Sequence, residues 1–201
     1  MLRKTLIAIT LWAAALAAPA LAQQPPATGD SPAAIDQSAG AVAIGQPYTR
    51  ETHGDWEIRC IRTENGKDPC QLYQLIQDDQ GNAVAEISLF PFPPGQPAAA
   101  GATIATPLET LLTEQVSIRV DDGKTLAYPF TYCTVQGCFA RIGLTEEDIT
   151  AYKQGSVARV RIVPLATPDS EVILAMSLKG FTDAFEAVRA LNEENTPPPQ
   201  Q

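Results

Sequence analysis

Histidine is almost missing from this 201-residue chain, His53 being the only one. A two-histidine metal site is therefore excluded, and any catalytic triad would have to centre on this ring at the edge of a polar lead, where a surface histidine is the simpler reading. Basic residues are few and scattered: 14 Lys and Arg stand against 23 Asp and Glu, a formal charge of −9. Phosphate binding needs a basic patch, so the charge balance argues against a nucleic-acid partner. Glycine-rich phosphate loops and the strained nucleophile elbow of hydrolases are also absent. No catalytic residue, cofactor or metal ligand is assigned.

Long apolar runs are missing as well. Leu6–Ala18 (LIAITLWAAALAA) is too short to span a bilayer comfortably, so an integral membrane protein is not expected. With Arg3 and Lys4 before it and Pro19-Ala20-Leu21-Ala22 after it, the run reads as a secretory signal over residues 1–22, cleaved after Ala22. No cysteine follows that point, which argues against a lipid anchor. Removing Arg3 and Lys4 takes the formal charge from −9 to −11, a balance that favours solubility.

Cysteine is limited to Cys60, Cys70, Cys133 and Cys138. Outside the cytosol four thiols imply two disulfides, with three possible pairings. Chain entropy gives about 3 kcal/mol for Cys60–Cys70, about 2 for Cys133–Cys138 and roughly 4–5 for a long bridge such as Cys60–Cys138. Entropy thus favours the long bridges, but it does not decide which sulfurs can meet. The four-residue Thr134–Gly137 turn sets its flanking cysteines opposite one another, and the expected pairs are Cys60–Cys70 and Cys133–Cys138. A thiol-disulfide oxidoreductase using Cys133 and Cys138 is the alternative. Against it stand a four-residue spacer, a strand-like continuation and Arg141 as the one nearby cation.

Residues 23–50, rich in Pro, Ala, Gly, Gln and Ser, have little to bury and read as a disordered lead. The folded domain is expected over residues 51–192, with a disordered tail over 193–201. Period-two alternation marks strands at His53–Cys60, Cys70–Gln77, Ala83–Phe90, Val116–Val120, Thr125–Tyr132, Phe139–Leu144 and Ser156–Val163. The nearly all-apolar Glu171–Leu178 reads as a central strand covered on both faces. Pro91, Pro93, Pro94 and Pro97 predict a long surface loop from Pro91 to Pro107. A short helix starts at Thr145 with Asp148 in the capping-box position, and a terminal helix with Thr182 as its cap carries a Phe181, Phe185, Val188 and Leu191 stripe. The fold class is all-β, an antiparallel β-sandwich or Greek-key barrel with two short helices, one of them C-terminal.

Three segments, GDWEIRC followed by Cys70, YPFTYC-TVQG-CFARI, and SLKGFTDAFEAV, occur in an order and spacing that resemble the invasion associated locus B (IalB) family over about Gly54 to Val188. The resemblance implies a periplasmic or secreted, disulfide-containing β-rich domain, with some members linked to bacterial invasion of host cells. It brings no catalytic residues. Pro107-Leu108 stands where a Pro-Gly pair is expected of the family.

The acid pairs Asp78-Asp79, Asp121-Asp122 and Glu146-Glu147 fall in turns or a helix start and read as turn and cap chemistry. Trp56, Tyr73, Phe130, Tyr132 and Phe139 are expected in the core near the bridges, with an exposed subset forming a recognition patch as the alternative. Prolines keep Phe90, Phe92, Pro93 and Pro94 off the sheet, so these four are the candidate partner surface. The functional expectation is a non-enzymatic exported protein that binds a protein or cell-envelope partner, with a purely structural envelope protein as a further alternative.

Overall fold

In the computed structural model of the chain, residues 42–195 are described. The signal segment over 1–22, most of the lead and residues 196–201 of the tail lie outside them. Eleven strands are present: β1 (Pro47–His53), β2 (Trp56–Ile61), β3 (Cys70–Gln77), β4 (Ala83–Pro91), β5 (Ala100–Thr106), β6 (Val116–Val120), β7 (Thr125–Tyr128), β8 (Phe130–Thr134), β9 (Gly137–Leu144), β10 (Val157–Ile162) and β11 (Val172–Ser177). Helix α1 spans Glu146–Gln154 and α2 Phe181–Asn195.

All pairings are antiparallel. Seven strands form one sheet in the order β1-β2-β3-β4-β5-β9-β8, and four form a second in the order β11-β10-β6-β7. Alternation decides which face is buried. Trp56 and Ile58 on β2, Leu72 and Ile76 on β3, and Ile87 and Leu89 on β4 point inward from the first sheet. They share one core with Ile118, Val160, Leu174 and Met176 of the second sheet and with Phe181, Phe185 and Val188 of α2. The expected all-β class with a C-terminal helix holds.

Polar bonds join the two sheets. The Trp56 indole donates to the Ser177 carbonyl at 2.9 Å, and the Gln74 side chain both donates to that carbonyl and accepts from the Ser177 N–H. Gln74 is 6 % exposed, and these bonds satisfy a polar group that would otherwise be costly to bury. Gly54 and Gly180 lie back to back, both with positive φ, and a Cβ on either would overlap the backbone carbonyl of the other turn. The β1–β2 turn can therefore rest directly on the link between β11 and α2.

Several expectations are corrected. Strand β1 begins at Pro47, within the stretch read as disordered lead, and pairs with β2 from Pro47 opposite Ile61 to His53 opposite Trp56. It is an edge strand held by its ladder and carries no inward apolar row, so hydrophobic period could not reveal it. The strand expected over His53–Cys60 is divided, because Gly54 and Asp55 form the turn between β1 and β2.

The long surface loop expected from Pro91 to Pro107 is also overturned. Its second half is β5, inside the sheet between β4 and β9, with Ala100, Ala102 and Ile104 fully or almost fully buried. The prolines end β4 and shape only the short connection. Small side chains concealed the alternation of Ala100, Ala102, Ile104 and Thr106.

The single strand read over Thr125–Tyr132 is two. It breaks at Pro129, and the chain passes from the second sheet in β7 to the first in β8. The apolar β11 is an edge strand with Ile173 58 % exposed, not a central one covered on both faces. Helix α2 begins at Phe181, so Thr182 lies inside it and its hydroxyl donates to the Lys153 carbonyl. The helix runs three residues into the expected tail, to Asn195, whose amide donates to the Asp68 carbonyl at 2.8 Å.

Candidate binding surface

The two disulfides are Cys60–Cys70 and Cys133–Cys138, and among the described residues no cysteine is free. Each bridge joins directly opposed residues of neighbouring strands, β2 with β3 and β8 with β9. Beside the first bridge the loop 62–69 is organised by Asp68, which is 3 % exposed. Its carboxylate accepts from the Tyr48 hydroxyl at 2.7 Å, the Thr63 N–H at 2.7 Å, the Thr63 hydroxyl and the Arg62 guanidinium. These donors, Tyr48 first, hold the Asp68 carboxyl down at about 2.

A folded-state value below that of an unfolded aspartate, about 3.9, makes Asp68 stabilising at pH above about 4. That contribution is lost as pH falls through 4 toward 2. Asp68→Asn should remove this part of the acid dependence, measured as denaturation midpoints at pH 2.5, 4 and 6. An unchanged acid limb would contradict the assignment.

Asp78, Asp121 and Asp148 serve turns and caps. Asp78 accepts from the Gln80 and Asn82 N–H groups and the Asn82 amide, which together lower its pKa. Asp121 accepts from the Ser156 and Val157 N–H groups. At the start of α1 the capping box between Thr145 and Asp148 is complete in both directions, although Asp stands for the usual Glu. His53 contacts Glu51 at 3.0 Å. Among the described residues no three His, Cys, Asp or Glu side chains could share a metal.

The outward face of the seven-stranded sheet carries Phe90, at its centre, and Tyr73, Tyr132 and Phe139 to either side. Cross-strand register lays Tyr73, Ser88, Thr103 and Arg141 in one transverse row, and Phe90, Gly101 and Gly143 in the next. The middle of the face is thus made of small residues. On one side the Arg59 guanidinium lies 3.2 Å from the centre of the Tyr73 ring and bonds Glu57 at 2.8 Å. The Tyr73 hydroxyl donates to Glu86 at 2.8 Å, and burial with this bond raises its pKa. The Arg59 contact in turn lowers the pKa of Glu57.

On the other side Tyr132 stacks on Phe139, ring centres 5.0 Å apart, with the Arg141 guanidinium 5.5 Å from the Tyr132 centre. Val135, at the tip of the bridged β8–β9 hairpin, is 87 % exposed. Ile61, Leu75, Phe90 and Tyr132 keep 40, 46, 39 and 40 % of their surface in solvent.

Phe90 and Phe92 meet edge to face at 5.2 Å over Gly101, where a Cβ would overlap both rings. Glycine here makes room for aromatic cover, a device that protects a strand glycine. With Thr103, Arg141 and Gly143 they line a cleft of about 460 Å3. Pro93 and Pro94 stand exposed in the adjoining loop.

The expectation that the five aromatics fill the core fails for Tyr132, which faces solvent, for Phe139, which stacks on it on the outward face, and for Tyr73, which is 7 % exposed but packs on that face under Arg59. Trp56 alone of the five is fully enclosed. Gly101, Thr103 and Gly143 were missed because their role depends on register. Placing β5 as a strand opposite Phe90 would have revealed them.

The architecture matches known proteins. The crystal structure of invasion associated protein B from Bartonella henselae superposes with a TM-score of 0.60 at 22 % identity, covering 71 % of this chain and 97 % of that one. Invasion protein B homologs of Brucella abortus, from strain 2308 and from biovar 1 strain 9-941, are each 26 % identical over 156 residues, 77 % of this chain and 87 % of theirs. A family model described as invasion associated locus B (IalB) protein matches residues 56–189, from the indole that anchors β2 to the last turns of α2. That match covers about two thirds of the chain, and the chain belongs to the invasion associated locus B family.

Proposed function

We propose that this protein is exported by a signal cleaved after Ala22 and works outside the cytosol as a non-enzymatic binding scaffold. It engages a protein at the cell envelope or on a host cell through the outward face of its seven-stranded sheet. The observation that carries this reading is that face: a floor of Ser88, Gly101, Thr103 and Gly143, flanked by aromatic and arginine side chains. Small residues let a partner backbone approach, and exposed aromatics and arginine are the side chains most enriched among binding hot spots. Phe90, Phe92, Pro93 and Pro94 form one end of the contact. The two disulfides and membership of a family named for invasion support an extracytosolic setting.

The test is capture from envelope and host-cell extracts with the oxidised domain. A reproducible partner should be retained by Ile173→Ser, on the edge of the other sheet, and lost at least tenfold by Phe90→Ser with Tyr132→Ser. No reproducible partner, or equal capture by all three proteins, overturns the reading. For the thiol oxidoreductase alternative, insulin reduction by the wild type and Cys133→Ser should be equally absent. Activity dependent on Cys133 would replace the scaffold by an enzyme.

A further inference from the structure

Away from that face, the second sheet ends in an apolar cleft that its helix does not fill. Ile118 and Val120 of β6 and Leu126 and Tyr128 of the edge strand β7 lie on one face of the sheet, with Leu126 opposite Ile118 and Tyr128 opposite Val116. Helix α1 lies over this face and contributes Ala151 and Tyr152, leaving a cleft of about 480 Å3. Pockets of this size with apolar walls and a few converging polar groups are the usual form of small-ligand sites.

Two phenols provide the polar groups. Tyr152 is 4 % exposed and its ring packs against Phe181 in the core, centres 5.4 Å apart. Its hydroxyl makes no hydrogen bond to any described residue, yet no buried side-chain polar atom lacking a partner remains among them, so the hydroxyl is not sealed. The cleft it lines is its outlet. Tyr128, half-buried in the same wall, likewise makes no side-chain hydrogen bond among the described residues. Burial, with Asp148 nearby, pushes Tyr128 up to about 12, and burial, with Tyr128 and Asp148 nearby, also raises Tyr152. Both phenols therefore stay protonated and remain available as donors over the physiological range.

The rim sets the ligand's charge. Glu147 pairs loosely with Lys124 at 3.6 Å, and the Asp148 carboxylate is occupied by the Thr145 N–H and hydroxyl. One lysine facing two acids leaves the rim net negative, which repels a carboxylate or phosphate ligand, and an ammonium offers no lone pair to accept from the two phenols. From the two phenols without a side-chain partner in the cleft wall and this rim, we propose that the cleft between β6–β7 and α1 is a binding site for a small uncharged amphiphile. Its apolar chain or ring lies on Ile118, Val120 and Leu126, and one carbonyl or hydroxyl oxygen accepts from Tyr152 and Tyr128. The site is separate from the proposed partner face and does not depend on it.

The experiment is a backbone-amide NMR titration of the oxidised domain with three matched probes: 2-nonanone, nonanoate and nonylammonium. Saturable shifts over residues 118–128 and 145–152 are expected with the ketone, and at least tenfold weaker binding with both ions. Tyr152→Phe keeps the packed ring and should weaken the ketone about fivefold, as for one lost hydrogen bond. Leu126→Glu, at a position 38 % exposed, adds a charge to the cleft without disturbing the core and should abolish binding. Absence of saturable shifts, shifts centred elsewhere, equal ketone affinity in Tyr152→Phe, or preference for either ion would overturn the site.

Discussion

Trp56→Ala should lower the unfolding free energy of the oxidised domain by about 3–5 kcal/mol, a large part of the 5–15 kcal/mol typical of a native domain. Three losses combine at this position. The ring is fully buried and leaves a cavity among residues of both sheets and α2. Its edge contact with Phe181, ring centres 5.3 Å apart, disappears. The indole bond to the Ser177 carbonyl is also lost, although Gln74 still donates there at 3.0 Å, which moderates the cost. Trp56→Phe separates the terms by keeping an aromatic ring without the indole donor, and it should cost about 1–2 kcal/mol. Urea denaturation with the disulfides intact reads both variants. A loss below about 1 kcal/mol for Trp56→Ala would mean that this ring does not join the sheets.

Gly180→Ala should cost about 3 kcal/mol or more, the range of severe steric and backbone effects. Part is conformational, because φ is +85° and a Cβ in the left-handed region costs roughly 1–2 kcal/mol. The remainder is steric: the new methyl would overlap the His53 carbonyl and the Gly54 nitrogen, forcing apart the two turns. Separation would also strain the bond from the Asp55 N–H to the Lys179 carbonyl, 3.1 Å long. Gly81→Ala is the matched control, with φ +83° and open space around its Cβ position. It should lose only the conformational part, about 1–2 kcal/mol. Equal losses at both sites would show that the turns accommodate a methyl group and that their close approach is not a constraint.

The parts of this fold readable from the sequence are those where one side chain settles a local question. Trp56, Ile58 and Cys60 alternate with polar residues, and β2 follows. Thr145 with Asp148 begins α1. Thr134–Gly137 turns tightly enough to place Cys133 opposite Cys138. Elements set by neighbours were not readable. Strand β1 lacks an apolar row and is held by the β2 ladder, while β5 is made of alanine, glycine and threonine around the single large residue Ile104, and its burial depends on β4 and β9. The change of sheet at Pro129 and the edge position of β11 are likewise tertiary facts.

The candidate surface divides in the same way. Prolines pointed to Phe90, Phe92, Pro93 and Pro94 as lying off the sheet, but Phe90 belongs to β4, paired with Gly101, and its ring meets that of Phe92 over that glycine. The floor of Ser88, Thr103 and Gly143 and the stacked Tyr132 emerge only from strand register. The cleft beneath α1 had no local signature, because Tyr128 and Tyr152 come from separate elements and each resembles an ordinary core tyrosine.

The proposed function depends on a scaffold closed by two disulfides, Cys60–Cys70 and Cys133–Cys138. The most direct measurement is non-reducing peptide mapping of protein recovered from its natural compartment, with free thiols alkylated before unfolding and again afterwards. The expected result is two cross-linked peptides, Cys60 with Cys70 and Cys133 with Cys138, and no alkylated cysteine. Free thiols at any of the four positions in most of the recovered molecules, or cross-links between the two pairs, would contradict it.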